Sequence, residues 1–363
     1  MGRLVDGDGR QAGGLSASPP ARASYTASAR PARRWPPASG STAIAQPQPL
    51  PARGAPALLK VTHGSRVIDP STGLTKLDLV RYYAEVAHWA LPHLHGRPAY
   101  IKRAPLGIAA RMVFQQHPEG TRGLKGTDPA LWPGHAPAIA FDSAQDLVAA
   151  AQVGMIELHT WSSTALSITR PDRMIFDLDP GEGVPWAQVQ EGAVLVRTLL
   201  QALGLQSWLK TSGGKGLHLF VPLAPEEGYD TVKAFSEAVV RHMARTIPQR
   251  FVAKSGPRNR VGRIFIDYLR NGWVQSTAEA YSARARPGLA VSMPVRWDDL
   301  DALTGGDHWN IVSAPAHLAR LARDPWECYW TTPQPLAPAM ERLGLLPTPS
   351  RRTRARPASV HRA

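Results

Sequence analysis

The chain has 363 residues, 43% of them hydrophobic, and a formal net charge of +14. That length accommodates one large or two ordinary domains. The single cysteine, Cys328, excludes an intrachain disulfide and a cysteine-rich zinc ribbon. No stretch reaches the apolar length of a membrane span, and the N-terminus lacks the apolar core of a secretory signal, so a soluble, cytoplasmic protein is expected. Most of the basicity lies at the ends. Residues 1–58 hold seven arginines against two aspartates, and residues 351–363 hold five arginines and no acid. Such tails bind polyanions with strong salt dependence, or serve only as solubilising flanks.

In chain order, residues 1–57 are rich in Pro, Ala, Ser and Arg without a hydrophobic period, and read as a disordered arm or linker. A folded domain is expected over residues 58–345 and a disordered basic tail over 346–363. Thr75-Lys76-Leu77-Asp78 is a capping signature. The helix it opens carries Leu79, Val80, Tyr83, Val86, Ala87, Ala90 and Leu91 on one face, and Pro92 is expected to stop it. Strands follow at Ala99–Arg103, around Met112–Phe114 and at Gly154–Trp161. A further apolar run, Met174-Ile175-Phe176, ends in Asp177-Leu178-Asp179. Pro185 and Trp186 open a helix closed by Gly204. Ser207–Thr211 and Leu217–Val221 read as strands around a glycine loop. Asp230 is expected to cap a helix that ends before Pro248. Trp326 to Leu345 is expected to pack back on the core. Helices and strands alternate, which gives an α/β or α+β class.

Alternation along a strand puts Asp177 and Asp179 on one face and Leu178 on the other. Adjacent carboxylates repel unless a cation lies between them. The bland alternative is a solvated acidic pair at a strand end. Asp267 closes another apolar run, Arg263-Ile264-Phe265-Ile266, and makes a third candidate ligand for Mg²⁺ or Mn²⁺. Ser212-Gly213-Gly214-Lys215-Gly216 lacks the spacing of a Walker A loop, because position 209 is Leu. It still offers amides, a hydroxyl and an ammonium suited to a triphosphate, although a hairpin turn would look the same. His159 and His218 are either satisfied strand histidines or site residues. Arg260 and Arg270 flank Asp267 and either neutralise phosphate or sit on the surface. Lys76, at the first helical position, is either an ordinary surface lysine or a phosphate ligand.

Six ordered blocks together resemble one family: the polymerase domain of bacterial ATP-dependent DNA ligase D, in the archaeo-eukaryotic primase superfamily. They are Asp69–Lys76, Ile156–Trp161, Phe176–Gly183, Thr211–His218, Ile266–Asn271 and Tyr281–Pro287. The resemblance implies an α+β primase-polymerase fold of mixed β-sheets flanked by helices. It implies that Asp177, Asp179 and Asp267 bind two catalytic Mn²⁺ or Mg²⁺ ions. Ser212, Lys215 and His218 would hold the triphosphate of an NTP or dNTP. His159, Arg260, Arg270 and Arg284 would line the nucleotide pocket. Arg66 and Lys76 would hold the 5′-phosphate across a gap, and Phe114 would stack beside template and nucleotide.

The implied activity is nucleotide addition to a primer 3′-hydroxyl at gapped or broken double-stranded DNA, in non-homologous end joining. The implied partners are Ku and a separate or parent ligase domain, and the implied location is the bacterial cytoplasm at the nucleoid. The sequence departs from the family pattern at Val113 and Gln116, where an aromatic residue and a lysine are common. Alternatives are de novo priming, a non-catalytic DNA end-binding module, and a metal-dependent nuclease or phosphatase. The phosphatase lacks its second motif, because Gly181 stands where Thr or Val is required.

Overall fold

The computed structural model describes residues 61–345. The proposed arm and tail, and residues 58–60, lie outside the described residues. Two six-stranded sheets form the framework. The first runs in the order Phe251–Val252, Ile264–Asp267, Arg173–Pro180, Leu217–Pro222, Trp208–Thr211 and Pro294–Val295. The strand carrying Asp177 and Asp179 therefore lies in the interior, with an antiparallel neighbour on each side. Its Met174, Phe176 and Leu178 join Leu219, Val221 and Ile266 in the main core. Helices Trp186–Ala202 and Tyr229–Thr246 pack on this sheet. One apolar face is buried under helices, and on the opposite face Ile175 and Phe220 are also covered, which leaves the end that carries Asp177 and His218 for polar work.

The second sheet is centred on Ala99–Arg103 and Met155–Thr160, with Val113–Gln115 paired to the former and Thr277–Ala278 to the latter. Helices Lys76–Leu94 and Ala144–Gln152 pack against each other, and the second also packs on Met155–Thr160. Both begin with a capping box, Thr75 with Asp78 and Ser143 with Asp146, which satisfies two amide donors at each start. The pairing of Ala99–Arg103 with Met155–Thr160 shifts register between Lys102 and Arg103. Such a bulge re-aims a side chain.

One segment stitches the two sheets together. Glu279 accepts hydrogen bonds from Thr160 and from Arg173, the latter at 2.8 Å. Ser282 Oγ accepts from the Leu158 amide at 2.8 Å, and Ser292 accepts from Lys210. Thr211 Oγ1 donates to the Val291 carbonyl at 3.1 Å. Tyr281, within this segment, holds a left-handed backbone at φ 63°.

Two expectations need correction. Pro92 lies inside the first helix, which runs on to Leu94. A proline near a helix end loses only one hydrogen bond of the final turn, so the helix need not stop there. Asp230 is not the cap of its helix. Gly228 holds that position, and Asp230 stands in the first turn, where its charge still complements the helix dipole.

Trp326 does pack back. It is fully buried with Ile175, Phe220 and Tyr329, and its indole N–H donates to the Leu209 carbonyl at 2.8 Å. Trp326→Ala is expected to cost about 3–5 kcal/mol, from cavity formation and an orphaned carbonyl. Urea denaturation of both chains measures the difference.

Candidate active site

Register builds the site. Asp177 pairs with Asp267 across one strand boundary and with His218 across the other, and His218 pairs with Lys210. A transverse row of Asp267, Asp177, His218 and Lys210 therefore crosses the sheet on one face. Asp179 stands two residues along from Asp177 on the same face. Ligand oxygens of Asp177, Asp179 and Asp267 all lie within 4.8 Å of one another. His218 Nε2 is 3.2 Å from Asp177 Oδ1. Arg260 Nη1 is 3.0 Å from Asp179 Oδ2, and Arg270 Nε is 3.1 Å from Asp267 Oδ2.

The electrostatics follow from that crowding. Burial and the charge of Asp177 push Asp179 up to about 6, against the pull of Arg260. Burial also raises Asp267, and Arg270 only partly offsets it. Asp177 goes the other way. Burial would raise it, but the charge and hydrogen bond of His218, then Arg270 and Lys210, hold it at about 2. Burial pushes His218 down to about 4. At neutral pH its Nε2–H donates to Asp177, and Nδ1 is buried with no hydrogen-bond partner among the described residues. Three converging carboxylates that repel, all offering hard oxygen donors, fit a divalent cation such as Mg²⁺ or Mn²⁺.

The glycine loop lies at the end of the same sheet. Ser212 Oγ accepts from the amides of Gly214 and Gly216, both at 3.1 Å, and closes a tight turn. Gly213 needs φ +64° there, and a Cβ on Gly216 would lie 1.9 Å from the Leu178 carbonyl oxygen. The loop can therefore approach the metal-ligand strand only through a glycine. Lys215 lines a cleft of about 350 Å³ with Gly181, Gly183 and Asp307.

His159 arrives from the second sheet. Its Nε2 is 2.8 Å from Glu157 Oε2, and Arg284 Nε is 3.4 Å from the same oxygen. Arg284 also donates to the Ser212 carbonyl at 2.5 Å, which ties the two groups together. His159 and Arg284 hold Glu157 well below the usual carboxylate range despite its burial. Phe114, half exposed, meets the His159 ring at 5.8 Å between centroids.

Arg66 and Lys76 lie apart from this centre. They line a cleft of about 210 Å³ with Arg103, and no acidic side chain lines it. Burial and the charge of Arg66 lower the Lys76 ammonium. Arg103 is lowered by burial, and its partners are the neutral groups Val153 O, Gln115 Oε1 and Thr121 Oγ1.

Sequence reasoning assigned no role to Glu157, Lys210 or Arg103. Glu157 and Lys210 carried a usable signal: a charged residue within an apolar strand, two positions or one cross-strand step from a site histidine. Arg103 carried none, because its direction depends on the bulge.

Comparison with known proteins gives the family. The family described as LigD, primase-polymerase domain, matches residues 75–326. The chain belongs to that family. It is 47% identical over 293 residues to the multifunctional non-homologous end joining protein LigD of Pseudomonas aeruginosa, covering 80% of this chain and 35% of that one. It is 34% identical over 274 residues to the LigD DNA repair protein of Mycobacterium tuberculosis, covering 73% and 36% respectively. The solved structure of the polymerase domain from Mycobacterium tuberculosis ligase D in complex with DNA matches with a TM-score of 0.68 and 31% identity. That match covers 76% of this chain and 99% of the other. The chain spans about a third of the length of the curated relatives it matches. Its described residues have the mixed α+β architecture of the primase-polymerase fold. Among them, no helix is long and apolar enough to cross a membrane.

Two outcomes are expected. Gly216→Ala should shift the loop and cost about 1–3 kcal/mol of stability, because backbone cannot yield to a Cβ 1.9 Å away. Urea denaturation of both chains reads this. The second concerns Lys210, whose ammonium burial pushes from 10.5 down to about 7. Between those values unfolding takes up a proton, so the folded state gains stability as pH rises from about 7 towards 10. The slope should approach about 1.4 kcal/mol per pH unit, and below pH 7 it should vanish. Lys210→Met should abolish this slope in denaturation measured from pH 6 to 10.

Proposed function

We propose that this chain is a DNA repair nucleotidyltransferase that joins an NTP or dNTP to a primer 3′-hydroxyl at a gapped or broken DNA end. The observation that carries the reading is the register that brings Asp267, Asp177 and His218 side by side, beside a glycine loop touching the same strand. Asp177, Asp179 and Asp267 would hold two Mg²⁺ or Mn²⁺ ions. Bound there, the ions would activate the 3′-hydroxyl and stabilise the leaving pyrophosphate.

The remaining residues prepare the substrate. The Ser212 hydroxyl and the Lys215 ammonium are the loop's donors suited to the triphosphate, and His218 Nδ1, buried without a partner among the described residues, would join them as a donor once it carries a proton. Arg260 and Arg270 neutralise carboxylates in this structure, and would turn to an incoming triphosphate once metal ions took over that role. Glu157 sets the orientation of His159 through a hydrogen bond and of Arg284 through an ion pair. Phe114 offers a ring face beside His159. Val113 and Gln116 replace a common aromatic and lysine on this side, which leaves Phe114 as the remaining platform.

The separate basic cleft suits a phosphate monoester. Arg66, Lys76 and Arg103 are three cations with no carboxylate among them, an arrangement that favours an anionic ligand. We assign it to the 5′-phosphate across a gap. Double-stranded DNA with such a gap is then the substrate, Ku and a ligase domain are the partners in end joining, and the bacterial nucleoid is the place of action.

Asp177→Ala with Asp179→Ala should remove primer extension in Mn²⁺ by at least about a thousandfold. Extension that survives the double change would sink the two-metal reading. Arg66→Ala with Lys76→Ala should leave extension of an unphosphorylated gap unchanged. It should reduce the preference for a 5′-phosphorylated gap about tenfold or more. Paired extension assays on the two gaps distinguish these outcomes.

A further inference from the structure

An aromatic series leaves the nucleotide pocket and ends at the surface. Phe114 meets Tyr100 at 5.7 Å between ring centroids and His159 at 5.8 Å. Tyr100 pairs with His159 across adjacent strands, so both stand on one face of the second sheet. Trp161 follows two residues after His159, is buried, and meets Tyr100 at 6.1 Å. Two further indoles close over it: Trp132 at 5.4 Å and Trp273 at 5.3 Å. These two meet each other at 6.0 Å and reach the surface, with Trp273 40% exposed.

Three observations make this ledge more than a satellite core. His135, exposed, lies flat on Trp132, with centroids 3.8 Å apart and planes 18° apart. That is the spacing and tilt of a stacked base, so the Trp132 face fits a planar ring, and a base would take the place that exposed His135 holds in this structure. Val274 holds a left-handed backbone at φ 62°, which a β-branched residue rarely adopts, and strain of that kind marks a turn with a purpose. Finally, two cations lie close to the Trp273 turn. Arg270 precedes Trp273 by three residues, is partly exposed and pairs with Asp267 at 3.1 Å, and Lys233 packs its stem 3.7 Å from the position of a Cβ on Gly272.

The geometry points to Trp132 and Trp273 as a stacking ledge for the unpaired bases of a DNA strand, continuous with the nucleotide pocket. The inference rests on the reading of Phe114 and His159 as part of that pocket. Ring faces beside cations are what a single strand requires. The bases stack without sequence preference, and the backbone finds positive charge. A paired duplex hides its base faces and gains nothing from the ledge. The occupant is therefore the single-stranded overhang of a broken end.

The test uses the full chain and two labelled probes: single-stranded dT12 and a blunt duplex with a 5′-phosphate. Fluorescence anisotropy gives both affinities. Trp132→Leu and Trp273→Leu keep apolar bulk but remove the ring. Each should weaken dT12 binding about fivefold or more, the lower end expected for one stacked base. Blunt-duplex affinity and single-nucleotide gap extension should stay within about twofold. Phenylalanine at either position should restore most dT12 binding.

Leucine variants that bind dT12 as the natural chain does would overturn the ledge, as would an equal loss on both probes. Tighter binding of U12 than of dT12 would overturn the assignment to DNA. If Trp273→Leu fails to fold, Trp132→Leu and Trp273→Phe decide. Gap extension separates the two readings. Its absence from the natural chain would defeat the proposed activity, whereas normal extension with unchanged dT12 binding would defeat the ledge alone.

Discussion

Everything in the site depends on keeping three carboxylates together on one sheet face. Like charges at this spacing would drive the strands apart if nothing answered them. The sheet answers with register. Asp177 is flanked directly by Asp267 on one strand and by His218 on the other, while Arg260 and Arg270 reach in from loops to Asp179 and Asp267. The same strand is held from behind by Met174, Phe176 and Leu178 in the core. A one-residue slip of this strand would turn Asp177 and Asp179 inward and its apolar side chains outward. The hydrophobic pattern thus protects the carboxylate pattern, because both ride on one alternation.

The second principle is a division of charge. Arg173 with Glu279 is a buried pair and Arg97 with Asp172 a partly buried one, and in both the cation has its own acid. The basic cleft differs, since Arg66, Lys76 and Arg103 share no acid among its lining residues. Arg284 is an intermediate case, since its carboxylate, Glu157, also accepts a hydrogen bond from His159. Where cations are matched they hold the fold. Where they are in surplus they await an anion.

Much of this was legible in the chain and some was not. The shared face of Asp177 and Asp179 follows from a period of two. The strands Ala99–Arg103 and Leu217–Pro222 stand within a residue of where their apolar runs placed them. Pairing of Asp177 with Asp267 was not legible from the residues alone, because nothing local specifies which strand lies beside which. The family resemblance carried that step. Strands of two residues, at Phe251–Val252, Thr277–Ala278 and Pro294–Val295, show no periodicity and escape any such reading. The helix Ala144–Gln152 went unread although Ser143 and Asp146 spell a capping box, because its alanines give only a faint face. The aromatic series joins residues 100, 114, 132, 161 and 273, whose proximity exists only in three dimensions.

The segment from Glu279 to Met293 has a consequence for how a ligand is met. Its side chains bond to Thr160 and Leu158 on one sheet and to Lys210 and Thr211 on the other. Glu279, Ser282 and Ser292 are wholly buried. The glycine loop and the His159 strand are thus clamped in mutual position before any substrate arrives. The pocket is preorganised, so the entropy lost on binding falls on the ligand and a few surface side chains rather than on the chain's backbone.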